Sequence, residues 1–102
     1  MRAWQTPRVS PRPKAYVDEL ELARRVALGD SQRVLADVFG VPQSLVSRRI
    51  TGWRQELAVA AASKPAAVSY WLREANSVRV ARRYLYLKTQ EPRWAPLESE
   101  DF

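Results

Sequence analysis

The residues of this chain best suited to chemistry are hydrogen-bonding groups on one helical face rather than nucleophiles. Within QSLVSRRI, residues Gln43, Ser44, Ser47 and Arg48 fall on the side of a helix away from its apolar edge. A guanidinium pairs through two donors with O6 and N7 of guanine, and a glutamine amide pairs through two atoms with adenine. Arg48 and Gln43 are the candidates for those roles, while Ser44 and Ser47 can reach a base or a phosphate. Arg49 and Arg54, with Gln32 and Arg33 at the head of the preceding helix, add donors for a phosphate backbone. Catalysis finds no comparable footing. There is no cysteine and no histidine, which removes thiol, His-dependent and zinc-finger chemistry. No set of Asp, Glu, Ser or Lys has the spacing of a nucleophilic or metal-assisted centre, and Asp18, Glu19 and Glu21 read as helix-start charges. An enzyme is not expected, and neither is a cofactor or a metal.

Positioning that face requires two short helices and a sharp turn, all between Ser31 and Arg54. Val34, Leu35 and Val38 lie at i, i+1 and i+4 and share one face of a helix over 32–39. Asp30 or Ser31 caps its start. Gly40 stands where a left-handed C-cap is needed, and Pro42 suits the first turn of the next helix. Leu45, Val46 and Ile50 give this second helix, over 42–50, an apolar edge that packs on the first. Thr51, Gly52 and Trp53 close or kink it, with Trp53 in the core. The run QELAVAAAS then continues as helix until Lys64-Pro65 sets a boundary.

The set Gln32, Leu35, Ala36, Gly40, Val41 and Val46 resembles the helix-turn-helix of phage Cro/repressor proteins and of homeodomain-like recombinase DNA-binding domains. The resemblance covers about a quarter of the chain. It implies that Ala36 is small where the two helices cross, that Gly40 makes the turn, and that Val46 packs back on the first helix. It also implies that the second helix enters the major groove of double-stranded DNA. The chain departs from the pattern at Arg49, where the family carries an apolar or aromatic residue. Ile50 is then the core anchor, and Arg49 turns to phosphate.

The whole chain supports a polyanionic partner. Its 102 residues make one domain with a modest core, and its net charge is +6 with a pI near 10.3. No apolar run approaches the roughly 20 residues that span a bilayer, so a soluble protein of the bacterial cytoplasm or of a phage-infected host cell is expected. Residues 1–14 hold Arg2, Arg8, Arg12 and Lys14 with three prolines and no acid. This is an extended basic arm, with Arg12-Pro13-Lys14 reaching the minor groove or only adding non-specific attraction. Trp4 docks on the domain or serves a partner. YVDELELARRVAL reads as a supporting helix with Leu20, Leu22, Val26 and Leu28 in the core.

Residues 65–89 read as one long helix. Val68, Trp71, Leu72, Ala75, Val78 and Leu85 form an apolar stripe that serves the core and a homodimer contact. Arg79, Arg82, Arg83 and Lys88 gather on another sector, for phosphate contact or solvation. A strand-paired wing over 78–88 is the alternative. The acidic end, 91–102, is a flexible tail that is solvated, competes with DNA for a basic face, or offers Trp94, Leu97 and Phe102 to a partner.

The expected fold is therefore all-α: a three-helix helix-turn-helix unit and a long C-terminal helix over 15–90, between the arm and the tail. The expected function is sequence-specific DNA binding by a small phage or mobile-element transcriptional regulator. Two alternatives stand beside it. One is an architectural or recombination accessory protein, such as an excisionase or a small terminase subunit. The other is a protein-interaction module on the same scaffold.

Overall fold

Side-chain caps decide where the helices begin. The Asp18 carboxylate accepts hydrogen bonds from the amides of Leu20 and Glu21 at 3.0 and 3.3 Å, which starts helix α1, Glu19–Ala27. Ser31 does the same for the Val34 amide at 3.2 Å and starts α2, Gln32–Phe39. The computed structural model describes residues 17–95, and these are helical with no strand among them. The arm, with Arg12 and Lys14, and the end of the chain from 96 onward lie outside the described residues. Among the described residues no helix is long and apolar enough to cross a membrane.

Gly40 ends α2 at φ 66°, and Val41 tucks into the core as its amide donates to the Ala36 carbonyl at 3.0 Å. Pro42 stands just outside α3, Gln43–Ala60, in an extended conformation rather than within its first turn. α3 corrects the expected end at residue 50. It runs without interruption through Thr51, Gly52 and Trp53, because Trp53 and Leu57 continue the buried edge of Val46 and Ile50. That burial outweighs the roughly 1 kcal/mol by which glycine disfavours a helix interior.

The long helix expected over 65–89 is broken. Helix α4, Pro65–Ser69, passes into a π-helical turn, Tyr70–Glu74, and the chain is extended at Ala75 and Asn76. The Asn76 side chain then accepts from the Arg79 amide at 2.9 Å and restarts the chain as α5, Ser77–Thr89. An asparagine that caps a new helix competes with propagation of the old one. The wing over 78–88 does not form, since those residues are all in α5.

α5 is the centre of the packing. α1 lies along it most extensively, α3 crosses it, and α2 touches α3 and only the edge of α1. One core joins Leu22, Val26, Leu35, Val46, Ile50, Trp53, Leu57, Trp71, Val80 and Leu85. The apolar stripe over 65–89 divides: Trp71, Ala75 and Leu85 enter this core, while Leu72 and Val78 remain exposed. Val34 and Val38 also face solvent, at 47% and 51%. α2 instead turns Leu35, Ala36 and Phe39 inward, a stripe at i, i+1 and i+4 that fits its narrow contact with α3. Leu28 lies past the last turn of α1 and is 73% exposed, not core. The start of the acidic end is no solvated tail. Pro92–Trp94 form a 3-10 turn, Trp94 is buried, and Arg82 donates to the Ala95 carbonyl at 3.3 Å.

Two glycines make opposite demands on an added methyl group. A Cβ at Gly52 would meet no atom within 4 Å, in a helical backbone, whereas Gly40 needs its positive φ. Gly52→Ala should therefore raise unfolding free energy by about 0.5–1 kcal/mol, and Gly40→Ala should lower it by about 1 kcal/mol. Urea denaturation of both variants measures this, and a destabilised Gly52→Ala would mean that α3 is not continuous there.

Candidate nucleic-acid interface

α3 presents two unlike edges because the helical repeat separates them. Val46, Ile50, Trp53 and Leu57 face inward, while Gln43, Ser44, Ser47 and Arg48 are all exposed. The structure thus brings together the four side chains expected to read base edges. Arg48 has no ion pair among the described residues. Because α3 continues, the exposed face continues too, through Thr51, Gly52 and Gln55. Thr51 and Gln55 lie four and eight residues beyond Ser47 and were not among the sequence candidates. Helical spacing would have found them had Gly52 not been read as a terminus.

The other two arginines expected to contact DNA from α3 have partners within the chain. Arg49 Nη1 sits 2.9 Å from Glu19 Oε2. Arg54 Nη1 donates to the Trp71 carbonyl at 3.4 Å, on the side facing the π turn. On α5, Lys88 donates to Glu56 at 2.7 Å, and Arg82 holds Ala95 as described above. In α2, Gln32 is half-buried and Arg33 is exposed. The exposed face of α3 is therefore mostly polar, with Arg48 as its exposed cation, while Arg54 places its charge beside the π turn.

Beneath this face lies a polar and aromatic junction of α1, α3 and α5. Trp53 Nε1 donates to Glu19 Oε1 at 2.7 Å. The indole stacks on Tyr84 with ring centroids 4.9 Å apart and planes 19° apart, and Lys88 Nζ lies 5.5 Å from the centre of the Tyr84 ring. A shallow depression above the junction is lined by Glu19, Arg48, Arg49, Gly52, Glu56 and Tyr84. Its charges are mixed, which suits neither a lone anion nor a lone cation. Among the described residues no group of three or more His, Cys, Asp or Glu is gathered to hold a metal ion.

No protein family, curated protein or solved structure matches this chain.

Burial, with Glu19 and Glu56 nearby, pushes the Tyr84 phenol above its ordinary value, and the hydrogen bond to Glu56 pushes Lys88 up as well. Both groups therefore keep their protons in the folded state at a pH where the unfolded chain has begun to lose them. Their contributions are complete below the unfolded values and decline as pH rises through the folded ones. Stability should accordingly fall on the alkaline side of the tyrosine range, and Tyr84→Phe, which keeps the ring stacked on Trp53, should flatten that fall. Thermal melts across an alkaline pH series provide the check, and an unchanged slope in Tyr84→Phe would remove Tyr84 as a cause.

Proposed function

We propose that this chain is a sequence-specific double-stranded DNA-binding protein, a small transcriptional regulator of the Cro/repressor type, that lays α3 in the major groove. The observation that carries this reading is the exposed polar face of α3. Gln43, Ser44, Ser47 and Arg48, extended by Thr51 and Gln55, stand on one side of a helix whose other edge is anchored in the core. A major groove about 12 Å wide admits such a helix, and all four base pairs are distinguishable there. A glycine turn sets α2 and α3 against each other, as the resemblance to helix-turn-helix proteins implies. The net charge of +6 favours association with a polyanion.

In this reading Arg48 contacts guanine, Gln43 contacts adenine, and Ser44 and Ser47 contact base or phosphate. Thr51 and Gln55 lengthen the footprint along the groove. Arg33 and the basic arm supply backbone attraction. A two-fold operator would engage a second copy of the chain, to which the 65–89 stripe offers Leu72 and Val78, its exposed members.

Recovery and sequencing of bound duplexes from a random pool, at near-physiological salt, tests the proposal. One enriched motif is expected. Arg48→Ala should cost about 1–3 kcal/mol of discrimination at a single base pair while leaving affinity for random duplex nearly unchanged. Retention of DNA without an enriched motif would favour an architectural, charge-driven role. No retention would refute DNA binding.

A further inference from the structure

Arg49 sits in the middle of the proposed reading helix, yet its guanidinium is turned to Glu19 at 2.9 Å. We infer, on the basis of the DNA-binding reading above, that Glu19 is a built-in competitor of DNA phosphate for Arg49. It holds one cation out of the interface, so that affinity rests more on the base-reading side chains.

The geometry of Glu19 divides its two oxygens between two tasks. Oε1 accepts the Trp53 indole N–H at 2.7 Å, which fixes the carboxylate against α3. Oε2 is buried and has no aligned hydrogen-bond donor, so the nearby charge of Arg49 is its compensation. Withdrawal of Arg49 would leave that oxygen without a compensating charge, which favours the closed pair modestly, since both side chains are about a third exposed. Arg49 is nonetheless not sealed off, and lies on the flank of α3 beside the proposed reading face. Its side chain is 39% exposed, and it borders a second shallow depression with Leu45 and Arg48. On this inference, a phosphate at that flank would compete with Glu19 for the same guanidinium.

The consequence is specific to Arg49. An arginine on phosphate strengthens binding to every sequence, because it releases a counterion regardless of the bases. Held by Glu19, Arg49 adds nothing to random duplex, and the ratio of specific to non-specific affinity rises. Glu56, the other carboxylate at the depression, is occupied by Lys88 instead.

The test is a salt series of binding to a random duplex by the wild type, Glu19→Gln, Arg49→Ala and the double variant. Glutamine retains an acceptor for the Trp53 indole while removing the charge. Arg49→Ala alone is expected to leave the slope of log K against log[salt] unchanged. Glu19→Gln should steepen it by about 0.9, the equivalent of one phosphate contact, and tighten binding about 2- to 5-fold at the lowest salt. The double variant should return to the slope of Arg49→Ala. A loss of about 0.9 in the slope of Arg49→Ala would overturn the inference. So would a steepening by Glu19→Gln that persists in the double variant, since loss of any nearby carboxylate favours a polyanion. If Glu19→Gln does not fold, the Arg49 Nε–H resonance of the wild type decides. It stays in place on addition of DNA if Glu19 retains the guanidinium, and it moves if the guanidinium transfers to phosphate. Wild-type protein that binds no duplex refutes the DNA-binding reading and this inference together, whereas binding with unaltered slopes refutes this inference alone.

Discussion

The architecture depends on one ring. Trp53 stacks on Tyr84 of α5 and donates its indole N–H to Glu19 of α1, so three helices meet at a single side chain of α3. Burial of a large aromatic contributes on the order of 2–3 kcal/mol, and the stacked geometry adds about 0.5–1.5 kcal/mol. Its directional bond gives more than stability. The buried edge of Val46, Ile50 and Leu57 sets which side of α3 faces inward, and the indole bond at 2.7 Å adds a directional tie to α1. The outward bearing of Ser44, Ser47 and Arg48 follows from the buried edge and this tie together.

The charges follow from the same junction. The described part of the chain is laced with ion pairs: Glu21 with Arg24 and Arg25, Glu19 with Arg49, Glu56 with Lys88. Each is partly exposed, and such pairs contribute little to stability, about 0–1 kcal/mol each. Their larger effect is on the surface field. They neutralise Arg49 and Lys88 beside α3 and leave Arg48 exposed in its N-terminal half. A basic composition therefore does not translate into a uniformly basic interface.

Local chemistry was legible in the sequence, and tertiary chemistry was not. Ser31, the helix over 32–39 and the left-handed Gly40 could be read because caps and positive φ act within three or four residues. Val46 and Ile50 were legible by spacing. Gly52 misled because its local preference was overridden by the burial of Trp53 and Leu57 on distant elements. Asn76 was missed inside a run of good helix formers, although its capping role is as local as that of Ser31. Spacing groups Val34 and Val38 with Leu35 on one apolar face, but only the neighbours of a helix decide which edge is covered, and Leu35, Ala36 and Phe39 take it. The partners of Arg49 and Arg54 lie 30 and 17 residues away, beyond any periodic argument. The face of Gln43, Ser44, Ser47 and Arg48 was found, its extension through Thr51 and Gln55 was not.

Gly52 also bears on the mechanics of α3. At 1.5 Å per residue an 18-residue helix is a beam of about 27 Å, clamped along its inner edge. Glycine stands near its midpoint, where no side chain braces one turn against the next and no neighbouring atom lies within 4 Å of the place a Cβ would occupy. The buried edge supports the beam on both sides of that point, through Val46 and Ile50 before it and Trp53 and Leu57 after it, so the brace the glycine lacks is supplied by the core rather than by the helix itself.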